Sequence, residues 1–339
     1  MISRIVISTA ILLSCSLPVF SGVSNPDISA IGQLITSTSD AEGSYSNPEL
    51  ALGEVELVFD AALNPYANGR FVFSAGSEGF AVEEAYADFQ KGLPLNLSIR
   101  VGKYRIPFGR MNYIHPHALS FMEAPRSMRP DDGGLIPGEE SFNDVGAQLS
   151  TLIPISDIYA LTLSGDLLQG NSFHMEESGT AYAWNGRILN SFSFDNGLLC
   201  EVGFSGARGF KTITPHDASF LFGGDFKAKK SFTGDKSLTF GAEWVSRKDD
   251  GEETRQGGYG FLEAKSGRCS IGMLAEQYQV PEETEWTRAI KPFISYSLLE
   301  ETTLFRLAYE RLMPVNGDAS NGLFGQVLFS MGPHKAHQF

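Results

Sequence analysis

The feature that most constrains this chain is an alternation of apolar with small or polar residues, repeated from Asn25 onward over segments of roughly ten positions. Successive side chains on an extended strand point to opposite faces, so a period of two marks a strand whose two faces meet different surroundings. Leu95, Leu97, Ile99 and Val101 alternate with Asn96, Ser98, Arg100 and Gly102, and Leu238, Phe240, Ala242 and Trp244 alternate with Thr239, Gly241 and Glu243. Val145, Ala147 and Leu149 stand against Asp144, Gly146 and Gln148; Phe305, Leu307 and Tyr309 stand against Arg306, Ala308 and Glu310. Charges inside these segments keep to one face. The 36 glycines argue in the same direction, since each would cost a helix roughly 1 kcal/mol relative to Ala.

A soluble β-sandwich would alternate in the same way, with its apolar face against a second sheet, and a secreted sandwich that binds a ligand is one reading of the pattern. Segment length favours another. Sandwich strands run to about 5 or 6 residues, whereas a tilted strand that crosses a bilayer needs about 9 to 11. The connections also alternate in size, as in a barrel with tight turns at one rim and larger loops at the other. Short ones are expected at Leu63 to Tyr66, Ile153 to Asp157, Phe194 to Gly197, Thr233 to Lys236 and Ser266 to Arg268. Longer polar stretches lie around Asp40 to Asn47, Gln169 to Tyr182, Arg208 to Asp217, Arg247 to Gly257, Val280 to Trp286 and Met313 to Asn321. The segments add up to an all-β fold, an antiparallel transmembrane β-barrel of about 16 strands.

One connection differs. From about Pro107 to Ser141 no strand pattern holds, well beyond the ~12 to 15 residues at which a structureless loop becomes unusual. Its mixture of aromatic, apolar and charged residues suits a loop folded into the lumen; an external loop packed over the rim is the alternative. Arg110, Arg126 and Arg129 are its candidate constriction charges, joined by Arg100 and Arg306 on the wall, because fixed charge in a narrow pore sets ion preference. By parity the lumen also receives Glu54, Glu56, Arg70, Asp144 and Asp166, then Lys227, Lys229, Glu243 and Glu310. His115 and His117, two apart, would fall on one side of an extended backbone, and neutral imidazole is a common zinc ligand. They are the candidate metal ligands, helped by Glu123 or an Asp of the same loop; the plainer reading is rim histidines with loop hydrogen bonds, and no cofactor.

The first residues read as an address. Arg4 precedes an apolar run from Ile5 to Leu13, and Val19 and Ser21 occupy the small-residue positions of a cleavage site, so residues 1–21 are expected to be a signal peptide and 22–339 the barrel. Leu12-Leu13-Ser14-Cys15 offers a rival, lipidation at Cys15. Cys200 and Cys269 are then the remaining thiols, too few for a disulfide scaffold. A net charge of -14 disfavours nucleic acid as a partner. No P-loop, GxSxG, HExxH, paired CxxC or dinucleotide fingerprint occurs, and the chain is expected not to be an enzyme.

Several motifs carry a family resemblance: Asn25-Pro26-Asp27-Ile28-Ser29, Val82-Glu83-Glu84-Ala85-Tyr86, Val101-Gly102-Lys103-Tyr104, Phe108-Gly109, His115-Pro116-His117 and the ending Gly332 to Phe339. Together they resemble a family of bacterial outer-membrane barrels related to the phosphate-selective porins, some of whose members are labelled zinc-regulated TonB-dependent outer-membrane receptors. The length suits a porin-sized barrel and falls short of the roughly 22 strands and plug of a TonB-dependent transporter. The resemblance implies a porin-like channel in the outer membrane of a Gram-negative cell, passing small hydrophilic solutes or ions, with trimerisation and outer-membrane lipid as a partner. A structural or adhesive barrel without transport is the alternative. Phe339 looks like the aromatic end shown to the barrel assembly machinery, although the apolar alternation of Val327, Phe329 and Met331 stops near Gly332.

Overall fold

The computed structural model describes residues 26–41, 48–76, 79–174, 179–213, 217–299 and 302–332. The expected signal segment with Cys15, the terminal Phe339, and His216, His334 and His337 lie outside the described residues.

The alternating segments form sixteen strands: β1 (Asp27–Ser39), β2 (Glu49–Asn64), β3 (Ala67–Gly76), β4 (Gly79–Phe89), β5 (Leu97–Arg105), β6 (Asn143–Ser156), β7 (Tyr159–Leu168) and β8 (Ala183–Phe194), then β9 (Leu198–Phe210), β10 (Ala218–Phe232), β11 (Lys236–Asp249), β12 (Arg255–Ser266), β13 (Cys269–Tyr278), β14 (Thr287–Leu299), β15 (Thr303–Met313) and β16 (Ser320–Met331). Each pairs antiparallel with its neighbours in sequence, and β1 pairs with β16 from Ala30 opposite Met331 to Ser39 opposite Gly322. The sheet is therefore a closed barrel with no free edge, and the sandwich reading falls.

Burial inverts the rule of water-soluble proteins. Leu149, Ile271 and Phe240 are 51%, 62% and 42% exposed, whereas Glu243, Asp166 and Arg306, of the opposite parity, are buried. An outer belt of apolar side chains around a charged interior is what a bilayer-spanning barrel requires. The short turns gather at one rim: residues 65–66, 157–158, 195–197, 233–235 and 267–268. The opposite rim carries the connections 106–142, 169–182, 250–254, 279–286 and 314–319.

Local departures from parity have visible causes. β5 starts at Leu97, two residues later than the alternation suggests, because Leu95 and Asn96 take positive φ of 58° and 52° in a turn of 3-10 helix. That turn is tied to β6, where Thr151 Oγ1 donates to Leu95 O at 2.7 Å and Asn96 Nδ2 donates to Leu152 O. β6 in turn runs through Ile153 to Ser156, which were expected in a turn, with a register irregularity between Pro154 and Ser156. In β4 a bulge leaves Glu83 unopposed, since Val72 faces Glu84 while Phe73 faces Val82. Consecutive Glu83 and Glu84 are consequently both buried, which strict alternation would forbid.

The apolar core lies inside the barrel. Ile106, Phe108, Leu135, Ile136 and Phe142 of the long connection are all at most 1% exposed and pack in one cluster with the inward wall residues Leu221, Val245, Phe261, Leu274 and Phe293. Each such side chain contributes about 1.5–3 kcal/mol on burial, so the loop is held in the lumen by a core of its own. The lumen placement is the one the structure adopts, and the rim alternative is not.

Candidate functional site: the lumen loop and its carboxylate cradle

Residues 106–142 carry no strand and only three short turns of 3-10 helix, Pro116–Ala118, Arg126–Met128 and Pro130–Asp132. A segment without its own ladder must satisfy its backbone elsewhere. Here the barrel wall supplies the partners. At the base, Ile106 N donates to Phe142 O at 2.9 Å, and Asn112 closes the pinch by donating to both Ile106 O and Phe142 O while accepting from Phe142 N.

Beyond the base, carboxylates from the wall cap the loop. Glu243 Oε2 on β11 accepts from Arg110 N at 3.1 Å, Met111 N at 2.9 Å and the Tyr259 hydroxyl at 3.2 Å. Gly109 sits directly over that carboxylate with φ +60°, and a Cβ there would overlap Glu243 Oε1. Glu276 of β13 accepts from Ser127 N at 2.9 Å, and Glu263 of β12 accepts from Ser120 Oγ at 2.8 Å. Arginines of the wall cap loop carbonyls in return: Arg306 donates to Leu119 O and Phe121 O, and also to Gln326 Oε1 of the wall, and Arg255 donates to Gly133 O.

The loop's own arginines are paired. Arg110 meets Glu201 and lies 3.9 Å from Asp225, which Arg187 holds bidentately at 2.7 and 3.0 Å. Arg126 bridges Glu310 at 2.9 Å and Asp132 at 2.8 Å; Arg129 meets Glu123 at 3.1 Å and Asp132. Burial acts against both Arg126 and Arg129 as cations, but the facing carboxylates outweigh it, raising their pKa values further and fixing their charge. Arg100 remains on the wall, forked onto Asp88 at 2.7 and 2.9 Å with its guanidinium 4.2 Å over the Tyr86 ring.

His115 and His117 are brought together, with rings 5.7 Å apart and nearly stacked. The carboxylate that meets them is Glu56 of β2, whose Oε2 lies 3.2 Å from His115 Nδ1 and 3.3 Å from His117 Nδ1; Glu123, expected as their helper, is instead engaged by Arg129. His115 Nε2 faces Glu84 Oε2 at 3.3 Å. Burial and Arg105 oppose a proton on His115, but the facing carboxylates of Glu56 and Glu84 prevail and push its pKa up to about 9.

Sequence reasoning missed the inward apolar patch formed by Leu221, Val245, Phe261, Leu274 and Phe293, and the anchoring roles of Glu276 and Glu263. The signal was present: apolar residues at the lumen parity, out of place in a water-filled pore, mark the ground on which a loop lands.

No family model matches the chain. An uncharacterized protein of Aquifex aeolicus (strain VF5) is 29% identical over 223 residues, covering 59% of this chain; the match spans about half of that protein, 46% of its length. Among solved structures, OprB of Pseudomonas putida superposes with a TM-score of 0.64 at 9% identity, covering 91% of this chain and 94% of that one. The anion-selective porin of Comamonas acidovorans gives 0.59 at 12% identity over 91% and 100% of the two chains. The outer membrane channel DcaP of Acinetobacter baumannii gives 0.59 at 10% identity over 92% and 98%. The fold is that of the outer-membrane porins. At these identities the likeness establishes the architecture, and the chemistry must be read from this chain's own lumen.

Proposed function

We propose that this barrel resides in the bacterial outer membrane and acts as a porin-like channel for small hydrophilic solutes or ions, its passage narrowed by the loop 106–142. The observation that carries the reading is a charged interior within a closed, apolar-belted barrel, together with a loop bound to the wall through Glu243, Glu263, Glu276 and Glu310. The apolar belt makes outer-membrane lipid its solvent, and the non-enzymatic reading goes with it. Kinship with phosphate-selective porins is a matter of motifs, because the lumen mixes both signs where phosphate selectivity calls for a concentrated basic ladder. Ion preference follows from the balance of these pairs, in which Arg100, Arg110, Arg126 and Arg129 each offset a carboxylate and Arg306 adds a cation held by loop carbonyls.

Purified protein reconstituted in a planar bilayer should give discrete conductance steps and a reversal potential in a salt gradient. Replacing residues 108–140 by a short Gly/Ser linker should raise the single-channel conductance. Absence of steps in both forms, with insertion verified, would refute transport. That outcome would support the second reading, a closed structural barrel, which one observation favours: the loop packs a true apolar core inside the lumen.

A further inference from the structure

We propose that Glu56, His115 and His117 form a binding site for a divalent first-row transition metal of the zinc class, clamping the lumen loop to β2. Among the described residues, these three bring one ligand atom each to within 4.8 Å of one another. Two imidazole nitrogens and one carboxylate oxygen make a donor set that suits zinc, whereas magnesium and calcium prefer oxygen ligands throughout.

The surroundings are organised as a metal site's are. His115 is 4% exposed, and its Nδ1 and Glu56 Oε1 are buried without a hydrogen-bond partner. With Nδ1 directed to the cation, His115 Nε2–H is left to donate to Glu84, the arrangement by which outer carboxylates orient ligating histidines and raise their basicity. Charge asks for the same thing. Glu54, Glu56, Glu83 and Glu84 converge here; Arg105 pairs with Glu83, and Arg70 lies 3.8 Å from Glu84. Two arginines facing four acidic side chains leave this pocket favourable to a further cation. Access exists as well: a narrow cleft lined by Ile31, Gln33, Glu54, Glu56, Pro116 and His117 opens onto the cluster.

The test uses full-length protein folded in detergent, with the barrel verified by heat-modifiable migration. Its background carries His216→Ala, His334→Ala and His337→Ala, so that distant histidines do not compete. After stripping with EDTA, zinc is added alone and bound metal is counted. One equivalent is expected to bind, undisturbed by excess magnesium or calcium. Adding His117→Ala should abolish that equivalent, and Glu84→Gln should weaken it by about 10–100-fold. Cobalt in place of zinc should give the visible absorption of a low-coordinate site, which alone decides the matter if the His117→Ala variant does not fold. Protein that retains no zinc, binding unchanged by His117→Ala, or a cobalt spectrum of the hexa-aqua ion overturns the proposal. None of these readouts depends on whether the barrel conducts.

Discussion

Gly109→Ala isolates the bond between loop and wall. Gly109 adopts φ +60°, and a methyl group there would occupy the place of Glu243 Oε1. Two costs follow. A non-glycine residue in the left-handed region loses roughly 1–2 kcal/mol. Displacing the carboxylate also forfeits its hydrogen bonds from Arg110 N and Met111 N, and bonds to a charged partner are worth about 1.5–3 kcal/mol each. The sum, about 4–8 kcal/mol, falls on loop docking rather than on the strand ladder, which Gly109 does not join. Gly267→Ala is the matched control, because φ there is +55° and nothing lies within 4 Å of the added Cβ, so only the backbone cost of about 1–2 kcal/mol applies. Limited trypsin digestion of the folded barrel, cutting after Arg110 or Arg126, reads loop release directly. Gly109→Ala should be cleaved within the loop while the barrel retains its heat-modifiable migration, and Gly267→Ala should resist as the parent does. Equal resistance of the two variants would show that the Glu243 cradle does not hold the loop.

Phe240→Arg, on the lipid face, should cost about 2–4 kcal/mol in urea unfolding from vesicles if the residue lies near the midplane, whereas Ser98→Arg on the lumen face should be mild; equal costs would mean that the faces are misassigned. Thr239, of the same inward parity, is only 7% exposed and is the wrong place for that control. Replacing Arg110, Arg126 and Arg129 together with Ala strips cations from Glu201, Glu310 and Glu123, so the reversal potential in a salt gradient should move towards cations. If neither reversal potential nor conductance changes in a variant that folds and inserts, the loop is not the constriction.

The barrel was legible because its determinants are local. Each strand carries its own period of two, its own length and its own flanking turn residues, and residues such as Glu243, Arg306 and Glu310 could be assigned to the lumen by parity alone. The long loop announced itself by the loss of that period between Pro107 and Ser141. Errors arose where a single residue breaks the count: the left-handed pair Leu95 and Asn96 shortens β5, and the bulge at Glu83 turns two consecutive carboxylates inward.

Alternation, segment length and turn spacing were enough to specify about sixteen membrane-length strands and which side chains face lipid or lumen. Which of the lumen groups meet emerged only in the closed barrel. Glu56 reaches His115 and His117, Glu243 caps the turn after Gly109, and Glu310 takes Arg126, although each partner belongs to a distant part of the chain. The physical reason is closure: partners across a lumen are set by strand number, stagger and tilt of the whole sheet, and no single strand's pattern contains them.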